Sequence, residues 1–314
     1  MTTENKNLPA SSQAEGNDSS EKKSKKRRRR FGDRKEGRRL RTLPPMSYLM
    51  PYFMKIRSDS QNKFEDTIEI TALEKFLKRK HEEGYTGMTI LHCVIASYVR
   101  AIAQRPGINR FIAGQHVYAR NNILGIMTVK KTMAIDAEDT EVKVVYDPSD
   151  GVEEVYRKFS TSVEKVLSEK TDFGGFIKHM AYVPGLFLRF AVGFLRFLDY
   201  FGLLPRKLTE DISPFHGSFI VTSMGSLGIN AIYHHLYDFG NVPVFLSYGK
   251  KFSKMELDDD GNPVRRQYIT FKAVTDERIC DGYYYASAFK IIKRQLLHPE
   301  LLEGKYEKVV EDID

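Results

Sequence analysis

Apolar residues recur along the chain in several rhythms, and each predicts a different element. Between Thr71 and Gly84, the positions Leu73, Phe76 and Leu77 share one side of a helix, and Thr71 and Glu74 have capping-box spacing, which predicts a surface helix. From Thr89 to Ala103 nearly every face is apolar (Ile90, Leu91, Val94, Ile95, Val99, Ile102), which predicts a central, buried helix ended by the Arg105-Pro106-Gly107 break. Val152, Val155, Phe159, Val163, Val166 and Leu167 repeat at helical spacing and predict an amphipathic helix.

Between these helices the rhythm shortens. Runs at Arg110 to Ala113, His116 to Ala119, Ile123 to Lys130 and Val142 to Tyr146, with a Gly114-Gln115 turn, predict a meandering sheet. Further strands are predicted at Ser218 to Thr222, Val244 to Tyr248 and Arg265 to Thr275, the last after the turn Asp258 to Pro263. A closing helix runs from about Tyr283 to Leu297.

The segment Ala181 to Leu204 is rich in Leu, Phe and Val yet contains Arg189, Arg196 and Asp199 on one helical face. Three readings stand: a helix packed on the body or on a neighbouring subunit, an amphipathic helix lying in a membrane interface, and a span in which two arginines would be costly.

Charge changes this picture only at one end. The formal charge of +8 resides in residues 1 to 45, with 14 Lys/Arg against 6 Asp/Glu, while the remainder has 35 of each. The body therefore carries no bulk bias toward nucleic acid, and no specific nucleic-acid partner is expected. The run KKSKKRRRR at residues 22 to 30 is too polar to fold alone, so residues 1–37 are expected to form a disordered basic tail. Such a run could grip RNA, an acidic protein or an anionic membrane face, or it is simply a solvated tail. Only two cysteines occur, Cys93 and Cys280, so a disulfide framework is not expected and a reducing, cytoplasmic setting fits. They lack CxxC spacing, and His234 and His235 are adjacent, so no metal site is expected.

Three ordered stretches carry a family resemblance. Met88 to Ile112 combines the buried helix with the turn Pro106-Gly107-Ile108-Asn109; Gly217 to Gly228 reads GSFIVTSMGSLG; Thr275 to Gly282 reads TDERICDG and is followed by the final helix. Together they resemble the catalytic domain of the 2-oxoacid dehydrogenase acyltransferases, whose active-site signature is Asp-His-Arg-x-x-Asp-Gly. The resemblance implies an α/β (α+β layered) chloramphenicol-acetyltransferase-like fold over residues 38–314, a mixed sheet flanked by helices, with an apolar insertion at about 179–209. It also implies a homotrimer with sites between subunits, acting on a small-molecule acyl thioester, with coenzyme A or acyl-CoA as substrate; the stretch before Arg38 is too short and too charged to hold a lipoyl domain, so no covalently attached lipoyl group is expected.

In that family the signature histidine takes a proton from a thiol, and a hydroxyl on the strand bend stabilises the oxyanion. Carried over residue by residue, the hydroxyl falls on Thr222, with Ser223 beside it, the aspartate on Asp281, and the histidine position on Glu277. Gly225, Gly228 and Gly282 mark the bend and the signature where a cofactor would approach. An ordinary glutamate lies about four pKa units below a free thiol, against about two for histidine, so proton transfer is roughly 2 to 3 kcal/mol harder. His234 or His235 offers a substitute base with Glu277 as its orienting carboxylate, or else the pair caps local backbone and faces solvent. The functional expectations are an acyltransferase using coenzyme A or a pantetheine- or lipoyl-type thiol, and alternatively a non-catalytic acyl-CoA-binding or scaffold protein.

Overall fold

The computed structural model describes residues 29–130, 139–168 and 182–314. Most of the expected tail, and the first residues of the expected insertion, lie outside these. The strands are β1 (Gly37–Arg39), β2 (Gln61–Glu69), β3 (Arg110–Ala113), β4 (His116–Arg120), β5 (Ile123–Lys130), β6 (Asp139–Tyr146), β7 (Phe219–Ser223), β8 (Val244–Tyr248), β9 (Phe252–Leu257) and β10 (Pro263–Asp276). The helices are α1 (Pro45–Phe53), α2 (Thr71–Glu82), α3 (Ile90–Gln104), α4 (Val152–Ser168), α5 (Gly185–Tyr200) and α6 (Gly282–Leu297).

The main sheet is mixed, in the order β2-β10-β8-β7-β5-β6, with β9 paired to the first half of β10. The β5-β7 and β7-β8 pairs are parallel, and the others on this path are antiparallel. A second, three-stranded sheet has the order β1-β4-β3. Its β3-β4 connection is the expected Gly114-Gln115 turn, where both residues have positive φ.

Helix α3 is buried along almost its whole length and joins residues of α2, α4, α6 and the sheet in one apolar core. A smaller apolar cluster unites Ile126, Ile220, Phe245 and Val274 of the sheet with Leu236 and Val242, so the segment 229–243 packs on these strands. The arrangement is the expected mixed sheet flanked by helices.

Three details differ from the sequence reading. The capping box at Thr71 and Glu74 is not formed, because Thr71 is already the first helical residue and its Oγ1 accepts from the Gln267 N–H at 3.1 Å. A reciprocal box forms instead at Thr89 and His92. Strand β2 went unpredicted because it is the sheet's edge and reads as polar, Gln61 to Glu69, with Ile68 its only fully buried residue. The packed body also begins before residue 38, since Arg34 and Glu36 are buried.

Candidate functional site

Strand β10 ends on Asp276, a wholly buried carboxylate that organises the turn after it. Its Oδ1 accepts from Arg278 Nε at 2.8 Å and from Ser60 Oγ at 3.2 Å, and its Oδ2 accepts from Arg278 Nη2 at 2.7 Å and Arg57 Nε at 3.3 Å. Burial works against the charged form, but Arg278 and Arg57 outweigh it and hold the carboxyl below the ordinary aspartate range. The two guanidiniums bond outward to backbone, Arg278 to the Met54 and Lys55 carbonyls and Arg57 to those of Tyr237 and Gly240. Three segments distant in sequence are thus tied to one carboxylate.

Glu277 sits inside this clamp. Its N–H donates to the Ser60 carbonyl at 2.9 Å, so its backbone is fixed on both sides. The half-buried side chain makes no hydrogen bond or ion pair with any described residue. A carboxylate is presented on a rigid turn with its lone pairs uncommitted.

Asp281, expected at the site, is the N-cap of α6: its Oδ1 accepts from the Tyr284 N–H at 2.8 Å. Gly282 is the first helical residue, with open space where a Cβ would stand. Thr222 and Ser223 end β7, both half-buried. The bend beyond them needs its glycines for backbone reasons. A Cβ on Gly225 would come within 2.8 Å of the Gly249 carbonyl, and Gly228 has φ of +73°.

Sheet register shows how these groups relate. Thr222 is level with Ser247 on β8, which is level with Lys272 on β10. Glu277 lies five residues further along β10, about 16 Å at the rise of a strand. Within one copy of the chain, therefore, Glu277 and Thr222 do not face a common reacting atom.

His234 and His235 return toward the end of the sheet that carries Glu277. His234 stacks on Phe245 at 4.1 Å and on His235 at 4.8 Å, and its Nδ1 bonds the His235 carbonyl at 2.8 Å. Burial lowers its pKa, keeping the ring neutral to lower pH than an ordinary histidine. His235 is exposed. Neither ring is hydrogen-bonded or ion-paired to Glu277.

The clamp residues Arg57, Ser60, Asp276 and Arg278 were not singled out in the sequence. Asp276 and Arg278 flank Glu277 in the signature and were legible there; Arg57 and Ser60 carried no local signal. A cleft of about 220 Å³ opens beside the clamp, lined among others by Lys55, Arg57, Gly114, Arg196, Asp238 and Arg278. A second buried cluster borders it through Asp199, whose Oδ1 is 3.3 Å from Arg34 Nη1 and whose Oδ2 is 3.4 Å from His216 Nε2. Ser213 Oγ is 2.7 Å from His216 Nδ1 and accepts the Phe215 N–H, so this row anchors α5 to the loop before β7. Among the described residues, no group of three or more His, Cys, Asp or Glu is placed to hold a metal ion.

No family model and no curated protein matches this chain. Solved structures do match. A probable dihydrolipoamide acetyltransferase from Listeria monocytogenes 4b F2365 aligns with a TM-score of 0.51 at 16% identity, covering 82% of this chain and 94% of that one. A truncated catalytic core of the 2-oxoacid dehydrogenase multienzyme complex from Thermoplasma acidophilum aligns with a TM-score of 0.51 at 13% identity, covering 83% and 98%. The chain has the fold of these cores, as its ordered motifs implied.

Proposed function

We propose that this chain, built on the fold of the 2-oxoacid dehydrogenase acyltransferase cores, transfers an acyl group between coenzyme A, or a pantetheine- or lipoyl-type thiol, and an acceptor. The observation that carries the reading is the uncommitted Glu277 carboxylate on a turn clamped by Asp276, Arg57 and Arg278. A buried ion-paired cluster is costly to desolvate and contributes little net stability, so positioning is the better account of it. Here it fixes the residue that stands at the signature's base position.

In the proposed step Glu277 takes the proton of the attacking thiol as sulfur bonds to the thioester carbonyl carbon. The carbonyl oxygen becomes an oxyanion, and the hydroxyl of Thr222, or of Ser223 beside it, donates to it. Collapse breaks the original carbon–sulfur bond, and the departing thiolate takes the proton back from Glu277. The distance along β10 between Glu277 and the level of Thr222 supports a site assembled from two copies, and with it a homotrimer. A rate below that of a histidine-based site is the expected consequence of the larger pKa gap between carboxylate and thiol.

One observation favours the second reading, a non-catalytic acyl-CoA-binding or scaffold protein: within one copy neither His234 nor His235 is bonded to Glu277 as its orienting carboxylate. The decisive measurement is acyl exchange from a panel of short-chain acyl-CoA thioesters to dihydrolipoamide, with coenzyme A binding followed by calorimetry. Turnover that falls at least about 100-fold in Glu277→Gln supports the enzyme. Binding without turnover, together with activity created by Glu277→His, supports the scaffold. Turnover unchanged in Glu277→Gln overturns the assigned role.

A further inference from the structure

Helix α5 is apolar yet buries none of its residues fully. At 100° per residue, Leu186, Phe187, Phe190, Phe194, Phe197 and Phe201 fall within an arc of about 100°. All six are 53–78% exposed. The adjoining arc holds Leu188, Ala191, Leu195 and Leu198, which are half-buried, and beyond them Asp199. On the other side of the aromatic stripe stand Arg189 and Arg196, exposed and without an ion pair to any described residue, Arg196 also lining the cleft beside the clamp. The helix therefore has three faces: one half-buried, one aromatic and outward, and one cationic.

Its anchorage is specific. Arg34 donates to the Asp199 and Tyr200 carbonyls, Tyr200 OH donates to Gln115 Oε1 at 3.0 Å, and the Tyr200 carbonyl lies so near Gly114 that a Cβ there would stand 2.6 Å from it. The only carboxylate of the segment, Asp199, is turned inward to Arg34 and His216. What remains outward is wholly apolar or positive.

In sequence the basic run lies just ahead of Arg34, which holds the end of this helix. Residues 22 to 30 hold eight Lys/Arg, and Arg30 precedes Arg34 by four residues, a span of at most about 14 Å. Phe31 between them is fully exposed. An aromatic stripe of this width on a monomer's surface marks an interaction site. A helix of 16 residues is about 24 Å long, shorter than the hydrocarbon thickness of about 30 Å, and none of the described helices is long and apolar enough to cross a membrane.

We infer that the outward face of α5 is a docking surface for an anionic lipid bilayer, with the basic run of residues 22 to 30 supplying a second, electrostatic attraction. The helix lies in the plane of the interface, its phenylalanines seated at the headgroup and acyl boundary and Arg189 and Arg196 among the phosphates. A two-fold contact with a second copy of this chain is the less suitable occupant, because a face bearing two arginines and no outward acid is not complementary to itself. A single interfacial element binds marginally, and aromatic stripe and polybasic segment together meet the two-signal requirement for stable attachment.

The test is flotation of the full chain with vesicles of an equal mixture of phosphatidylcholine and phosphatidylglycerol, and with vesicles of phosphatidylcholine alone. The full chain is expected to float with the anionic vesicles and to stay behind with the neutral ones. The triple variant Phe190→Ser, Phe194→Ser, Phe197→Ser is expected to lower the bound fraction at least about tenfold, and so is removal of residues 1–28. Circular dichroism checks that the triple variant is folded; if it is not, the double variant Arg189→Glu, Arg196→Glu takes its place with the same expected loss. Absence of binding to anionic vesicles overturns the inference, as does binding that neither variant weakens. A change in sedimentation state in the triple variant, with vesicle binding intact, overturns it in favour of an interface between copies.

Discussion

Two aspartates in this protein are each enclosed by basic side chains, and they do different work. Asp276 is wholly enclosed and accepts from two arginines and Ser60, tying together the segment around Arg57, the end of β10 and the loop at Tyr237 to Gly240. Asp199 is partly open and lies between Arg34 and His216, tying α5 to the N-terminal segment and the loop before β7. In both, burial opposes the charged carboxylate and its partners outweigh that, Arg278 and Arg57 at Asp276 and His216 and Arg34 at Asp199, so both are held below the ordinary range. The first fixes a turn whose next residue is free to react; the second fixes a helix whose outer face is free to bind. The difference is completeness of enclosure: loss of the fully buried carboxylate strands two buried guanidiniums, whereas the half-open one holds the end of a surface helix.

That contrast yields a graded series. Asp276→Asn, which leaves Arg57 and Arg278 buried without a counter-charge, is expected to lower unfolding free energy by about 3–5 kcal/mol in urea titration. A loss under about 1 kcal/mol would show that the hub is not structural. Asp199→Asn is expected to cost less, about 1–3 kcal/mol, and to be accompanied by faster proteolysis within residues 185–200. Equal losses at both positions would erase the distinction.

Acid should weaken both hubs. Each carboxyl titrates lower in the folded chain than the value of about 3.9 in an unfolded one, so the unfolded chain binds protons first as pH falls. Their stabilisation is complete above about pH 5 and is lost as pH drops through the folded values. Urea midpoints measured against pH should show this decline in the parent and a flatter profile in Asp276→Asn; parallel profiles would deny the linkage. The smallest expected effect is that of Glu277→Gln on stability, within about 0.5 kcal/mol, because its side chain has no bond to lose. A larger change would mean that Glu277 belongs to the clamp rather than to the site it presents.

Much of this was readable from local pattern. Helix α3 was predicted from its all-round apolar residues, α4 from its 3.6-residue rhythm, and the β3-β4 hairpin from Gly114-Gln115. Residue 277 was found because the signature around it is contiguous. Strand β2 was not found, since an edge strand has little apolar alternation to show. Asp281 reads as a site residue in the motif yet serves as a helix cap, a role that depends on where α6 begins. Arg57 and Ser60 lie more than 200 residues from Asp276, and no spacing rule links positions that far apart.

Helices α3 and α5 show where the boundary falls. Both are apolar and of nearly equal length, 15 and 16 residues, and local periodicity determines that each is a helix. The sequence by itself also determined the order of the motifs, the uneven placement of charge and the glutamate at 277. Only the tertiary structure decided that α3 lies in the core and α5 on the surface, that Asp276 is enclosed by Arg57 and Arg278, and that Thr222 and Glu277 stand about 16 Å apart in register. The physical reason is that secondary structure follows from the backbone and its nearest neighbours, whereas burial, ion pairing and register depend on which distant segments the sheet brings together.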